Sequence, residues 1–549
     1  MDKYQLDIPV PKHGINYLDD SLIGDHEAAE GTINVSFKDG VPKTRKGYVP
    51  QTLYEHTGEG YDITMLDVHY VAGEKRLLFA SNSHLYQMNE DKAPVRRDLG
   101  NISSGAPAVL PVPCALTGYA YSEKAFVMDG AAFKFFDETN GLTAVPAYAP
   151  TTEETSAYGT NVLSTTPAEI NGMKWLLNDD NRIWAAGYGN LVRISHLGAA
   201  GPMPDYWPST QAIRLPEDCT GMVRYMGDVM LFTKNTAALV SGSTPVITMD
   251  DAYQNIQLPG EYGCERQETI ALGDNSVYWA NRNGVYRYTY QPTGFSIPEC
   301  VSEFTVPHSD GTSHTRTVKK RLDAISDWTK VWAVFYDHEY RLYLGGNEVL
   351  VFDTINNSWA LYRYADDFLC GTTYMDTLLY GAKKPTGVNA FIYEMDYTYV
   401  FGDIAYKGLS DNGTAFTTTL KSKFFDFGKA ANKKRFKKFF FTLYSEYLSY
   451  DLTVTVNVDN EDFSYEGDIY NKVSIWGSDD PITDPDPEAG YTFCFDDVIN
   501  EGHTNLNYPV RVRHRGKRYN IQYTLESADL NHAWTLLEAV LLFKMKELK

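Results

Sequence analysis

Apolar and polar positions alternate along this chain in short runs bounded by Gly, Asn and Asp, and helical spacing is nearly absent. One unit recurs: an apolar strand, a tight polar turn, then a second apolar or aromatic strand. It occurs at VHYVAGEKRLLFASNSHLYQM (68–88), GYAYSEKAFVMDGAAFKFFD (118–137), MKWLLNDDNRIWAAGYGNLVRI (173–194) and MVRYMGDVMLFTKNTAALV (222–240). It returns at ALGDNSVYWANRNGVYRYTY (271–290), WAVFYDHEYRLYLGGNEVLVFDTINNSWALY (332–362) and CGTTYMDTLLYGAKKPTGVNAFIYEM (370–395). Aligning the strand after each first turn superimposes Phe79, Val127, Trp184, Phe232, Trp279, Tyr343 and Tyr380, spaced by 48, 57, 48, 47, 64 and 37 residues. Seven such units predict an all-β fold, a β-propeller of about seven irregular blades in which neighbours bury each other's faces. The competing reading is a pair of irregular β-sandwiches whose hairpins look alike by chance.

Insertions near 150–170 and 300–330 absorb the drift in spacing. The first is rich in Thr and Glu; the second contains VKKRLDAI, whose Val318, Leu322 and Ile325 fit one short amphipathic helix. The segment 1–50 reads as an N-terminal arm with a hairpin, GTINVSFKDGVPKTRKGY, turning at Asp39–Gly40 and placed to complete a blade. The propeller then spans 51–396. Beyond it Leu452, Val454, Val456 and Val458 alternate with Thr453, Thr455 and Asn457, a half-buried strand of period two. Val510 and Val512 alternate with Arg511 and Arg513, and Arg515–Gly516 turns the chain into Tyr519, Ile521 and Tyr523. SDDPITDPDPEAG (478–490) reads as a surface loop, and the closing TLLEAVLLFKMKEL as a strand or a short helix. Residues 397–549 therefore form an additional C-terminal β-sandwich-like domain.

Charge changes the picture. The formal net charge of −22 argues against free duplex DNA or an anionic membrane surface as a high-affinity ligand. It is unevenly spread: residues 1–396 carry 31 basic and 49 acidic side chains, net −18, whereas 397–549 carry 18 and 22, net −4. Within the second part, Lys421, Lys423, Lys429, Lys433, Lys434, Arg435, Lys437 and Lys438 form one basic run, and Arg511, Arg513, Arg515, Lys517 and Arg518 a second. A solvated hairpin tip is the plain account of such a run. The sharper account is an interface, docking an acidic face of a neighbouring subunit or touching phosphates that line a passage.

Enzyme motifs with clear mechanics are missing: there is no GxxxxGK[ST] loop and no GxSxG elbow, and His338–Glu339 has no second histidine at HExxH spacing. The GxG at Gly187 and Gly189 sits in a strand–turn–strand pattern. Asn178, Asp179 and Asp180, like Asp459, Glu461 and Asp462, gather oxygens without the EF-hand order and read as turns. SDNGTAF (410–416) is only a distorted echo of a sialidase-type box. The six cysteines are scattered without a CxxC and read as reduced thiols of a protein folded in cytoplasm. The N-terminal stretch lacks a signal peptide's apolar core, and no apolar run reaches a membrane span. The expectation is a non-enzyme with no cofactor and no metal.

RLYLGGNEVLVFDTINNSW (341–359), INVSFKDGVPKTRKGY and LKSKFFDFGKAANKKRFKKFFFTL (420–443) resemble the tail-hub proteins of short-tailed bacteriophages, also called nozzle or DNA-stabilisation proteins. The resemblance covers most of the chain in order, through loose strand-and-turn patterns. It implies a propeller with added β-domains and a ring, commonly of six copies, below the portal and adaptor. It further implies a DNA exit channel, attachment of fibres or a needle, a place in the virion tail after assembly in the host cytoplasm, and no catalytic residues. The alternatives by class are a carbohydrate-binding or carbohydrate-degrading propeller that binds a receptor, and a generic scaffold propeller.

Overall fold

The structure, a computed structural model, describes residues 4–470, 506–511, 521–528 and 534–545, less the stretches 19–22, 51–60, 72–73, 89–96, 104–107, 112–124, 138–140, 166, 199–200, 244–251, 292–295, 308–312, 386–389, 402–403, 408, 426–433, 445–448 and 459–460. Seven antiparallel four-stranded sheets follow one another along the chain, at 63–101, 108–144, 175–214, 219–257, 271–300, 332–363 and 368–395; the seventh takes its outer strand, Tyr48–Pro50, from the N-terminal arm. These are the blades of a propeller. The aligned residues Phe79, Val127, Trp184, Phe232, Trp279, Tyr343 and Tyr380 all fall on the second strand of their blades, and each is fully buried. A second strand has strands on both edges and blades on both faces, so both of its alternating faces are apolar.

Local chemistry sets the turns. In blades 3 to 7 the first two strands are joined by two residues that both hold positive φ: Asp180–Asn181, Met226–Gly227, Asp274–Asn275, Asp337–His338 and Met375–Asp376. Such turns match the right-handed twist of the strands, and Asn, Asp and Gly tolerate the left-handed conformation best.

Clusters of apolar side chains lie between blades rather than within them. Phe232 of blade 4 meets Trp279 of blade 5 with ring centroids 5.1 Å apart. Ile63 and Leu66 of blade 1 share a cluster with Leu379 and Ile392 of blade 7. The inner strands Ile63–Val71 and Phe368–Tyr374 pack directly together, closing the ring. Outer closure comes from hydrogen-bonded register: Tyr48 opposite Met395, Val49 opposite Glu394 and Pro50 opposite Tyr393.

The first insertion is helical, and the second is a hairpin of Glu303–Pro307 with Ser313–Thr317 followed by a short helix. The first holds Thr152–Tyr158, Val162–Thr165 and Pro167–Asn171, opened by a capping box in which Thr151 and Glu154 bond reciprocally. The second contains Lys319–Asp323, with Leu322 buried and Val318 at its N-cap.

Beyond the propeller two sheets pack face to face. One orders the strands Val35–Ser36, Lys43–Thr44, Thr535–Met545, Lys434–Tyr444 and Leu506–Arg511, with Tyr4–Ile8 also paired to Thr535–Met545. The other orders Thr418–Lys421, Ile521–Ser527, Ser449–Val458 and Glu461–Tyr470. Leu452, Val454 and Val456 are buried between the sheets while Thr453, Thr455 and Asn457 are half-buried, the alternation that the sequence shows. Phe441 and Tyr523 meet across the gap at 5.2 Å. The closing segment is a strand, Thr535–Met545.

Two details differ from the sequence reading. Residues around Val510 and those from Ile521 onward belong to different sheets, so the chain crosses the sandwich there instead of forming a hairpin. The N-terminal arm is divided: one strand goes to blade 7 and three go to the sandwich.

Two expected outcomes follow from blade packing. A Cβ placed on Gly273 would lie 2.0 Å from the Phe335 ring of the next blade, so Gly273→Ala should cost about 1–3 kcal/mol in denaturant unfolding, partly recovered by adding Phe335→Leu. Asp67, on the inner strand of blade 1, has its pKa pushed up to about 6 by burial, with the Val68 amide donating to it against that rise. The folded chain therefore holds this proton more tightly than the unfolded chain, and the stability it confers is complete below about pH 4 and lost as pH rises through 6. Asp67→Asn should raise the melting temperature at neutral pH and leave it unchanged below about pH 4.

Candidate interface and the joint behind it

The basic runs sit on the sandwich. Lys434, Arg435, Lys437 and Lys438 open the strand Lys434–Tyr444, next to the last strand of the six-stranded sheet, Leu506–Arg511. Antiparallel register sets Lys438 opposite Arg511, and on its other side Arg435 opposite Lys544. Two runs separated by some seventy residues thus meet at one end of one sheet, beside the strand that is its last among the described residues. Where such a strand is a sheet edge, lysine and arginine on it deter indiscriminate strand addition.

Lys421 ends the strand Thr418–Lys421, and its carbonyl accepts from Ala29 N–H at 2.9 Å. Lys423 is engaged within the chain: its ammonium pairs with Asp25, donates to the Ile23 carbonyl at 3.1 Å and lies 5.7 Å from the Phe425 ring. Lys429, Lys433, Arg513, Arg515, Lys517 and Arg518 lie outside the described residues.

At the other end of that sheet's order the N-terminal arm joins sandwich to propeller through buried ionic contacts. Arg45 donates from Nη1 to Asp411 Oδ1 at 2.8 Å and from Nη2 to Oδ2 at 2.6 Å, both side chains essentially unexposed. Its Nε donates to Asn34 Oδ1 at 2.8 Å, its remaining N–H groups reach the Lys46 and Arg363 carbonyls, and its plane lies 4.3 Å from the Tyr364 ring and 3.8 Å from Phe416. Burial works against this charge; the Asp411 carboxylate more than offsets it and holds the guanidinium's pKa above its ordinary value. Nearby, Tyr48 donates to Asp366 at 2.7 Å.

A second contact holds the arm against the chain between blades 5 and 6. Glu27 accepts from Arg316 Nε at 2.7 Å and from Asn16 at 2.8 Å, and lies 2.7 Å from His314 Nε2. Burial alone would raise its pKa; Arg316, with the His314 and Asn16 hydrogen bonds, keeps it below the usual value. A third, Arg341 with Glu339 at 2.6 Å and with Asp396, ties blade 6 to the residue that follows blade 7. Arg45–Asp411, Glu27–Arg316 and Arg341–Asp396 were not legible beforehand, because each joins residues that only the tertiary fold brings together; Glu339 and Arg341 stand two apart on one strand.

The weaker chemical candidates resolve into structure. Asp411 of SDNGTAF is bound to Arg45; Asp179 pairs with Arg224 at 2.8 Å, and Asp180 is a turn residue. Asp459 lies outside the described residues. His338 is a turn residue 2.8 Å from Asp274, and Glu339 is bound to Arg341. No group of three or more potential metal ligands occurs among the described residues. Cys219, Cys264, Cys300 and Cys370 are free thiols, and burial pushes Cys219 and Cys264 up to about 12. A groove on blade 5 has Arg287 and Glu299 bonded to each other at 2.6 Å. No helix among the described residues is long and apolar enough to cross a membrane.

No protein-family model matches the sequence, and no curated protein matches it. Among solved structures, PorZ of Porphyromonas gingivalis, an essential bacterial surface component of the type-IX secretion system, is similar at 11% identity and a TM-score of 0.35. That match covers 77% of this chain but 46% of PorZ, so the chain spans less than half of that protein's length. BamB from Moraxella catarrhalis aligns at 11% identity and a TM-score of 0.36, covering 65% of this chain and 99% of BamB. YCF48 from Cyanidioschyzon merolae aligns at 8% identity and 0.36, covering 64% and 98%. At this level the overlaps carry no argument about function, and the blade count stands on the strand pairing above.

The joint yields a test. Asp411→Ala strands the Arg45 charge in the interior and should cost about 3–5 kcal/mol in chemical unfolding. Arg45→Met combined with Asp411→Leu should recover most of that loss.

Proposed function

We propose that this chain is a non-enzymatic structural subunit of a bacteriophage tail, a hub or nozzle protein whose copies form a ring around the DNA exit channel. One observation carries the reading: register brings two separate basic runs together beside the last strand of a sheet among the described residues, on a molecule whose first 396 residues hold a net charge of −18. A cationic edge and an anionic body on one chain are complementary between copies, and heterologous contacts of that kind close into rings when the rotation allows. The resemblance of 341–359 and 420–443 to tail-hub proteins supplies the setting: a ring of about six copies, portal and adaptor on one side, fibres or a needle on the other.

The charge also suits passage of DNA. A channel wall bearing carboxylates repels phosphate and gives a duplex few places to stick. The basic edge then serves contacts between subunits or with the adaptor. In this reading the protein is made and assembled in the host cytoplasm and resides in the virion.

Negative-stain imaging of the purified chain and of particles from its source should show a ring, at the tail vertex in the particles. Reversing Lys433, Lys434, Arg435, Lys437 and Lys438 to glutamate should leave the melting temperature within about 2 °C while abolishing the ring, as surface charge changes have small effects on the fold. Rings that persist in that variant would remove the basic edge from the interface, and particles without the protein at the tail would remove the reading itself.

A further inference from the structure

Five arginines are buried among the described residues. Four have a carboxylate within hydrogen-bond distance: Arg45 with Asp411 at 2.6 Å, Arg193 with Glu169 at 2.5 Å, Arg316 with Glu27 at 2.7 Å and Arg341 with Glu339 at 2.6 Å. Arg182 has none, although only 6% of it is exposed. It opens the second strand of blade 3, Arg182–Tyr188, directly after the Asp180–Asn181 turn.

Its hydrogen bonds leave one edge open. Nη1 donates to the Ser195 carbonyl at 3.2 Å and to Gln211 Oε1 at 3.5 Å, both neutral acceptors. Nε is buried with no partner, and Nη2 has none either. The Nε–Nη2 edge is the fork by which a guanidinium takes two oxygens of a carboxylate or phosphate. Water on that edge would satisfy the hydrogen bonds and leave the charge uncompensated.

The surroundings hold further buried polar atoms. The Trp184 indole N–H faces the Tyr253 hydroxyl, their rings 5.0 Å apart, and that hydroxyl has no other partner. The His196 ring, whose Nδ1 is also unpartnered, lies tilted 4.7 Å from Tyr158. The titratable groups facing Arg182 are Tyr253, Asp180, Tyr158 and His196. The one carboxylate among them, Asp180, is exposed on the turn and does not contact the guanidinium.

We propose that Arg182 anchors a binding site for a small oxyanion on blade 3, holding a carboxylate or phosphate group on its Nε–Nη2 edge with the Tyr253 hydroxyl as a further donor. The site is independent of the tail reading: a propeller of any role with this residue unpaired would carry it.

Thermal unfolding of the full chain tests it, in potassium phosphate, potassium acetate and potassium chloride at equal pH and ionic strength. Phosphate at tens of millimolar should raise the melting temperature by about 1–3 °C over chloride, the size expected for a weak ligand bound only by the folded state. A rise in acetate as well assigns the site to oxyanions generally, and a rise in phosphate alone to tetrahedral ones. Arg182→Met should fold with an unchanged or higher melting temperature in chloride, because an unpaired buried charge is gone, and should lose the phosphate response. Tyr253→Phe should reduce that response while keeping the fold, which retains a readout if the Met variant is unstable. A wild-type chain indifferent to phosphate, or an equal response in Arg182→Met through general salting effects, would overturn the proposal.

Discussion

The architecture depends on one buried ion pair. Arg45 and Asp411 come from opposite ends of the sequence, and their contact is sealed between Tyr364 of the propeller and Phe416 of the approach to the sandwich. A buried pair of this kind contributes little net stability compared with apolar replacements, but it is intolerant of misalignment. A shift of one residue in the arm would strand two charges. Asn34 reinforces the constraint: its side-chain oxygen accepts from both Arg45 and the Arg363 amide, and its amide group donates to the Thr417 carbonyl at 2.6 Å. The same few residues thus fix where the arm leaves the sandwich and where its strand Tyr48–Pro50 enters blade 7.

That constraint explains why two domains share one core. A single apolar cluster runs from Tyr340 and Trp359 in blade 6 through Tyr48 and Val35 of the arm to Phe441, Tyr523 and Leu541 in the sandwich. The arm acts as a strap lying between two structures that would otherwise meet over a surface.

Much of the propeller was legible in the sequence because the second strand of each blade is buried on every side. Trp184, Trp279 and Tyr343 sit in continuous apolar runs that no half-exposed strand would carry. The two-residue turns were legible for a similar reason, since the left-handed conformation selects Asn, Asp and Gly. The helices at 152–171 were less visible, although Thr151 and Glu154 form the spaced pair of a capping box; three short helices do not build a periodic pattern. The division of the arm and the crossing between Arg511 and Ile521 left no local signal, because strand pairing at long separation is decided by what each face buries. The basic runs were visible as composition. Their meeting was not, because it depends on the register of Lys434–Tyr444 against Leu506–Arg511. Arg182 could not have been singled out at all: only the pairing of the other four buried arginines makes it distinctive.

The pairing of Tyr4–Ile8 with Thr535–Met545 bears on how the chain matures. Tyr4–Ile8 leaves the ribosome on the order of half a minute or more before its hydrogen-bond partner Thr535–Met545, at ~5–20 residues per second. Blade 7 likewise waits for its inner strands while its outer strand, Tyr48–Pro50, has long been exposed. The sandwich cannot finish until Thr535–Met545 has emerged, whereas every strand of the ring of blades has been made once Ile392–Met395 is complete. The nascent arm, carrying unpaired strand edges until its partners emerge, is the segment for which protection by chaperones would matter most.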